Sequence, residues 1–118
     1  LARLQERRLE VPMPRDERAA KVARALLKSP DIDLGLDDWA QRCGASRRTL
    51  ARLFRSQTGF SFAEWRARLR AIDGLARLSG GASVGSIATS VGYASPSAFT
   101  AMVRRNFGKP PSHFARRG

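Results

Sequence analysis

The chain has 118 residues, 42% of them hydrophobic, and a formal net charge of +12. That length allows one or two small domains with marginal cores. No run of 18 apolar residues exists, which excludes a membrane-spanning helix. The single cysteine, Cys43, excludes an internal disulfide, no Cys/His cluster suggests zinc, and no signal-peptide pattern opens the chain, so a cytoplasmic setting is expected. The charge is segregated: residues 1–38 carry eight basic and eight acidic side chains, while residues 39–118 carry fourteen basic and two acidic, Glu64 and Asp73. Nineteen of the 22 basic residues are arginine, whose planar fork suits phosphate and guanine edges. A polyanion is the expected partner.

Residues 1–15 read as a connector, because Val11-Pro12-Met13-Pro14 favours extended backbone, and Leu1–Leu9 as the frayed end of a preceding helix. The chain opens on Leu1 rather than Met, so a missing N-terminal domain is expected, and oligomerisation, if any, would run through it. Asp16 is placed to cap a helix through Lys28, with Ala19, Val22, Ala23 and Leu26 at helical spacing and Ser29-Pro30 as its stop. A short helix fits Leu36–Cys43, closed by Gly44. Ser46 caps the next helix, which runs to about Thr58 with Leu50, Leu53 and Phe54 inward, and Gly59 closes it. The capping box Ser61-Phe-Ala-Glu64 starts a long helix to about Leu78, striped by Trp65, Leu69, Ile72 and Leu75. Gly74 inside it costs roughly 1 kcal/mol relative to alanine. Ser83 caps a helix over Val84–Val91, and Ser95-Pro96 opens one to about Phe107 with Phe99, Met102 and Val103 inward. Pro110 opens a last helix to about Arg116. The reading is all-α with seven helices: a first subdomain over 16–60, a linker helix over 61–80, and a second subdomain over 81–118.

The second subdomain repeats the first. Displaced by 49 residues, Ala45–Trp65 falls on Ala94–Phe114: Ser46 meets Ser95, Leu50 meets Phe99, Phe54 meets Val103, Arg55 meets Arg104 and Gly59 meets Gly108. Upstream the offset is 48, pairing Ala40 with Ala88 and Gly44 with Gly92, so one extra residue lies between Gly92 and Ser95. Two copies do not make a solenoid. Each is a short helix, a glycine-led turn and a Ser-capped helix, which is the pattern of a helix-turn-helix that presents its second helix to the DNA major groove.

The stretches LDDWAQRCGASRRTLARLFRSQTGFSFAEW and SVGSIATSVGYASPSAFTAMVRRNFGKPPSHF resemble the DNA-binding domain of AraC/XylS-type transcription regulators. The more specific signature comprises Ile87-Ala88, Gly92-Tyr93, Ser95, Phe99, Arg104-Arg105, Phe107-Gly108 and Pro111–Phe114. The resemblance covers about residues 16–116. It implies seven helices, two helix-turn-helix subdomains on a long helix, and an asymmetric DNA site of two boxes about one turn apart. It also implies promoter DNA and RNA polymerase as partners, no cofactor, and in most members an upstream ligand-sensing or dimerising domain, here expected to be cupin-like. The family usually carries Phe at position 103 and Ala at position 74, so Val103 predicts a looser second core and Gly74 a weaker linker helix. A helix over Phe62–Leu78 spans about 25 Å, and major-groove faces recur roughly every 34 Å. A monomer with a rigid linker is therefore expected to set two reading helices on one face of the duplex.

Helix position selects the candidate contacts. In the first copy Arg47, Arg48, Ala51 and Arg52 occupy the outer face, and Arg48 and Arg52 suit guanine O6 and N7. Positions 48, 51 and 52 also match base-contacting positions of the family. In the second copy the corresponding face is Pro96, Ser97, Thr100 and Ala101, which carries no charge and would read by small hydroxyls and apolar contact. Ser46, Thr49, Arg55, Ser83, Ser95, Arg104, Arg105 and Lys109 are candidate phosphate contacts. The three serines also serve as caps. Arg66, Arg68 and Arg77 read as a solvated face, as Arg55 does if it does not reach phosphate. Trp39 and Trp65 read as core, Cys43 as a small buried residue, and His113 as an exposed structural one. No paired-carboxylate, nucleophile–base, phosphate-loop or metal pattern supports an enzyme. A sequence-tolerant nucleic-acid binder and a polymerase-docking module remain as alternatives. A gel-shift against cognate and scrambled duplex separates the first, and alanine at Arg48 and Arg52 the second.

Overall fold

In the computed structural model, which describes residues 10–115, seven helices are present and no strand occurs among the described residues. They are α1 (Glu17–Lys28), α2 (Leu36–Cys43), α3 (Arg47–Thr58), α4 (Phe62–Ser79), α5 (Val84–Ser90), α6 (Pro96–Phe107) and α7 (Pro111–Ala115). The expected helix over Leu1–Leu9 and the end of the last helix at Arg116 lie outside the described residues. Two compact units form, one over Val11–Arg66 and the other from Ala67 onward together with Glu10, with the division inside α4.

The helix boundaries follow local chemistry. Asp16 accepts from the Arg18 N–H at 2.9 Å, and the Arg18 guanidinium that also bonds it holds its carboxyl below the usual range. Ser46, Ser83 and Ser95 each accept an N–H three residues on, at Thr49, Ser86 and Ala98. Such caps satisfy amides that a helix start leaves without partners. The capping box opens α4: Ser61 N–H donates to Glu64 Oε1 at 2.8 Å while Glu64 N–H donates to Ser61 Oγ at 3.1 Å. Gly44, Gly59 and Gly108 close α2, α3 and α6 in the left-handed conformation.

The unit over 11–66 closes around Val22, Leu26, Leu50, Phe54 and Trp65, each no more than 1% exposed. Phe54 packs edge-on against both Phe62 and Trp65, with ring centroids 5.4 and 5.5 Å away. Trp39 is buried as expected, but its Nε1 has no hydrogen-bond partner among the described residues. The backbone before α1 forms no helix or strand over 10–14, yet it does not hang free. Arg15 and Asp16 N–H both donate to Gln57 Oε1, and Trp65 Nε1 donates to Pro12 O at 2.7 Å. Cys43 is half-buried rather than buried, with its thiol donating to Ala40 O.

The unit from Ala67 packs Ala71 and Leu75 of α4 with Ile87, Ala88, Val91, Phe99 and Val103. Met102, Phe107 and Phe114 cover it from the side. Here α4 departs from the single stripe that the sequence predicts: Arg70, Ala71 and Gly74 are buried alongside Leu69 and Leu75. Gly74 has a packing role that its helix propensity does not show. A Cβ there would collide with the Phe99 ring and come within 2.9 Å of Ile87 Cγ2. The glycine lets Phe99 reach the α4 backbone, a close approach that acts against its propensity cost.

Candidate nucleic-acid interface

In the first unit α2 packs under α3, and the buried face of α3 is Leu50, Leu53 and Phe54. Helical geometry then turns Arg48 and Arg52 outward, where both are exposed, with Ala51 half-buried between them. Arg47 Nε lies 3.3 Å from Asp37 Oδ1, and both side chains are mostly exposed. Such a pair contributes about 0–1 kcal/mol, so an arriving phosphate can displace it. Ser46 Oγ donates to Thr49 Oγ1 at 2.9 Å while accepting the Thr49 N–H, so both candidate phosphate contacts are already engaged in capping.

A shallow groove beside α3 is lined by Leu36, Arg47, Ala51, Arg55, Phe62 and Arg66. A neighbouring depression links Ala51, Arg52, Arg55 and Ser56. Three candidates drawn from the sequence, Arg47, Ala51 and Arg55, therefore share one surface. Arg66 joins them, against the expectation that it is merely solvated. It donates to Leu34 O at 2.7 Å, and its guanidinium lies 4.9 Å from the Phe62 ring centroid. Those contacts hold it on the groove wall. The sequence signal for Arg66 was its place one residue after Trp65, on the first turn of α4, but charge alone reads there as surface.

In the second unit α5 packs under α6, with Phe99 and Val103 buried. Pro96, Ser97 and Ala101 are exposed and Thr100 is half-buried. Arg104, Arg105 and Lys109 are exposed further along. Ser83 and Ser95 are capping residues here too. The outer face of the start of α6 is uncharged, unlike that of α3. Arg68 misses its expected place on a solvated face, and Arg70, which carries no expectation from the sequence, is buried. Arg68 donates to Glu10 O and stacks on Phe107 with its carbon centre 4.8 Å from the ring centroid, and its burial pulls the guanidinium below its ordinary value. Arg70 is 8% exposed. Arg77 remains at the surface, paired with Asp73 at 2.9 Å. His113 is exposed.

The two turns correspond more closely than residue spacing suggests. Ala45 N–H donates to Ala40 O and Tyr93 N–H donates to Ala88 O, so Tyr93 occupies the place of Ala45. The extra residue of the second copy is Ala94. Among the described residues no group of three or more His, Cys, Asp or Glu side chains is placed to hold a metal, and no helix is long and apolar enough to cross a membrane.

A helix-turn-helix domain model matches residues 39–117. The chain is 38% identical over 103 residues to the HTH-type transcriptional regulator RipA of Corynebacterium glutamicum, covering 87% of this chain and 31% of that protein. It is 31% identical over 112 residues to the HTH-type transcriptional regulator NimR of Escherichia coli, covering 95% of this chain and 41% of NimR. The chain thus spans well under half the length of these relatives. Among solved structures, the DNA-binding domain of AdpA, a global transcriptional factor crystallised with a target DNA, superposes with a TM-score of 0.77 at 28% identity, covering 86% of this chain and 92% of that one. An AraC-type DNA-binding-domain protein from Chromobacterium violaceum shares the fold with a TM-score of 0.79 at 24% identity, covering 85% and 90%.

Proposed function

Since this chain belongs to the AraC-type helix-turn-helix family of DNA-binding transcription regulators, we propose that it reads an asymmetric promoter site with two unequal heads. Helix α3 enters one major-groove segment and α6 the next. Arg48 and Arg52 contact guanine edges, with Arg47 and Ala51 beside them. Pro96, Ser97, Thr100 and Ala101 form the less polar second head. Arg55, Arg104, Arg105 and Lys109 hold phosphates, helped by the capped helix starts at Ser46, Thr49, Ser83 and Ser95. At 1.5 Å per residue α4 is about 27 Å long, comparable to the roughly 34 Å between successive groove faces. The observation that carries this reading is the outward placement of Arg48 and Arg52 on a Ser-capped helix, within the region that holds the whole charge excess.

The test is a gel-shift titration at fixed salt, using a duplex selected by the protein from a randomised pool and a scrambled version of it. Tighter binding to the selected duplex is expected. Equal affinity would leave a sequence-tolerant binder. Contact with RNA polymerase, a cytoplasmic setting and assembly through an upstream domain complete the proposal, in line with relatives that are more than twice as long.

A further inference from the structure

The two turns sit in different surroundings. A Cβ added to Gly44 would meet nothing within 4 Å. At Gly92, where φ is +91°, a Cβ would lie 3.0 Å from Cζ, 3.2 Å from Nη2 and 3.3 Å from Nε of Arg70. The second turn therefore rests on a guanidinium, and position 92 needs glycine twice over, for its backbone conformation and for this approach. Arg70 is 8% exposed, which is unusual burial for an arginine. A methionine would fill similar space without the cost of taking a charge out of water.

The same stretch of α4 holds the turn by other means. Tyr93 Oη donates to Ala67 O at 3.2 Å. Its ring tilts against Phe99 with centroids 5.7 Å apart, and Phe99 in turn presses on Gly74. The Arg70 charge also reaches the Tyr93 phenol, where it opposes part of the upward push of burial. Phe99 lies between Ser97 and Thr100 on the first turns of α6. Only three residues lie between Gly92 and Pro96. The line from Arg70 to the outward face of α6 is thus short and made of packed groups.

We propose that Arg70 is a positioning residue for DNA recognition: its guanidinium, seated under Gly92, sets the direction in which Pro96–Ala101 meets a base pair. This rests on the reading of α6 as a DNA-facing helix. A planar guanidinium fixes the turn in a way that neither a flexible ammonium nor a thioether reproduces.

The experiment compares the full chain with Arg70→Lys, Arg70→Met and Thr100→Val. Base preference is measured on single-substitution variants of a duplex that the wild-type chain selects from a randomised pool, with melting temperature recorded for each protein. In Arg70→Lys and Arg70→Met, preference at the bases facing α6 should fall about tenfold, while preference at the bases facing α3 and the melting temperature stay near wild type. Unchanged preference in a folded Arg70→Lys overturns the positioning role. So does a parallel loss at both sets of bases, or failure of both Arg70 variants to fold, since each marks a purely structural residue. Thr100→Val separates the underlying reading. If it lowers the α6-side preference while Arg70→Lys does not, only the positioning role falls; if neither does, α6 does not read bases and both readings fall together.

Discussion

The two helix-turn-helix units share a plan and invert its emphasis. In the first, the outer face of α3 is rich in arginine and its turn is open to solvent at Gly44. In the second, the outer face of α6 is uncharged at its start and its turn is seated on Arg70 and tied through Tyr93. Charge lies at the start of the outward helix in one copy, whereas in the other it lies later along that helix, at Arg104 and Arg105, and beneath the turn, at Arg70. A duplicated unit can thus keep its caps, core and closing glycines while the placement of its arginines differs. The copies need not contribute equally to binding for both to be retained.

That contrast can be broken most directly on DNA. Alanine at Arg48 or Arg52 should weaken binding to the selected duplex by about 1–3 kcal/mol each. Ser97→Ala should cost less, and the reverse ranking in a titration would end the proposed division of labour. The next test addresses packing. Gly74→Ala improves helix propensity by about 1 kcal/mol, yet the methyl must displace Phe99, and overpacking of this kind typically costs about 1–3 kcal/mol. Net destabilisation in urea unfolding is expected, and a stabilised variant would show that the second core has room to give.

Two tryptophans sharpen the comparison within the first unit. Trp65→Phe removes the bond to Pro12 O and leaves a small void, for a loss of about 2 kcal/mol. Trp39→Phe removes a buried donor that has no partner among the described residues, so its lost volume is partly offset and the change should stay within about 1 kcal/mol. Equal losses in chemical denaturation would contradict this ordering. The smallest effect is a titration. Tyr93 is the sole tyrosine, and burial, opposed by Arg70, pushes its phenol up to about 12. Above pH 10 the unfolded chain releases a proton that the folded chain keeps, so stability should fall as pH rises from 10 towards 12. Phenolate absorbance should rise near pH 12 in the folded protein; a rise centred on pH 10 would mean that the second turn is open like the first.

Most of the fold was legible because its signals are local. Ser46, Ser61, Ser83 and Ser95 mark helix starts within three residues of the amides they cap, and Gly44, Gly59 and Gly108 mark ends by conformation alone. The outward face of α3 followed from where Leu50, Leu53 and Phe54 must point. What escaped depends on partners far along the chain. Arginine on a helix scores as surface, so nothing near Arg70 announces that it meets a turn 22 residues later. Glycine within a helix scores as weakness, so Gly74 hides its role until Phe99 is seen against it. The run before α1 reads as a tether because its partners, the acceptor Gln57 and the donor Trp65, lie more than 40 residues downstream.

That last feature has a mechanical consequence. Gln57 stands in the final turn of α3, the helix that carries Arg48 and Arg52, and its single amide oxygen takes two successive N–H groups of the incoming strand. A pull on the segment upstream of Arg15 is therefore shared: Trp65 near the start of α4 holds Pro12 O, and Gln57 passes the remaining load to the tail of the helix that carries Arg48 and Arg52.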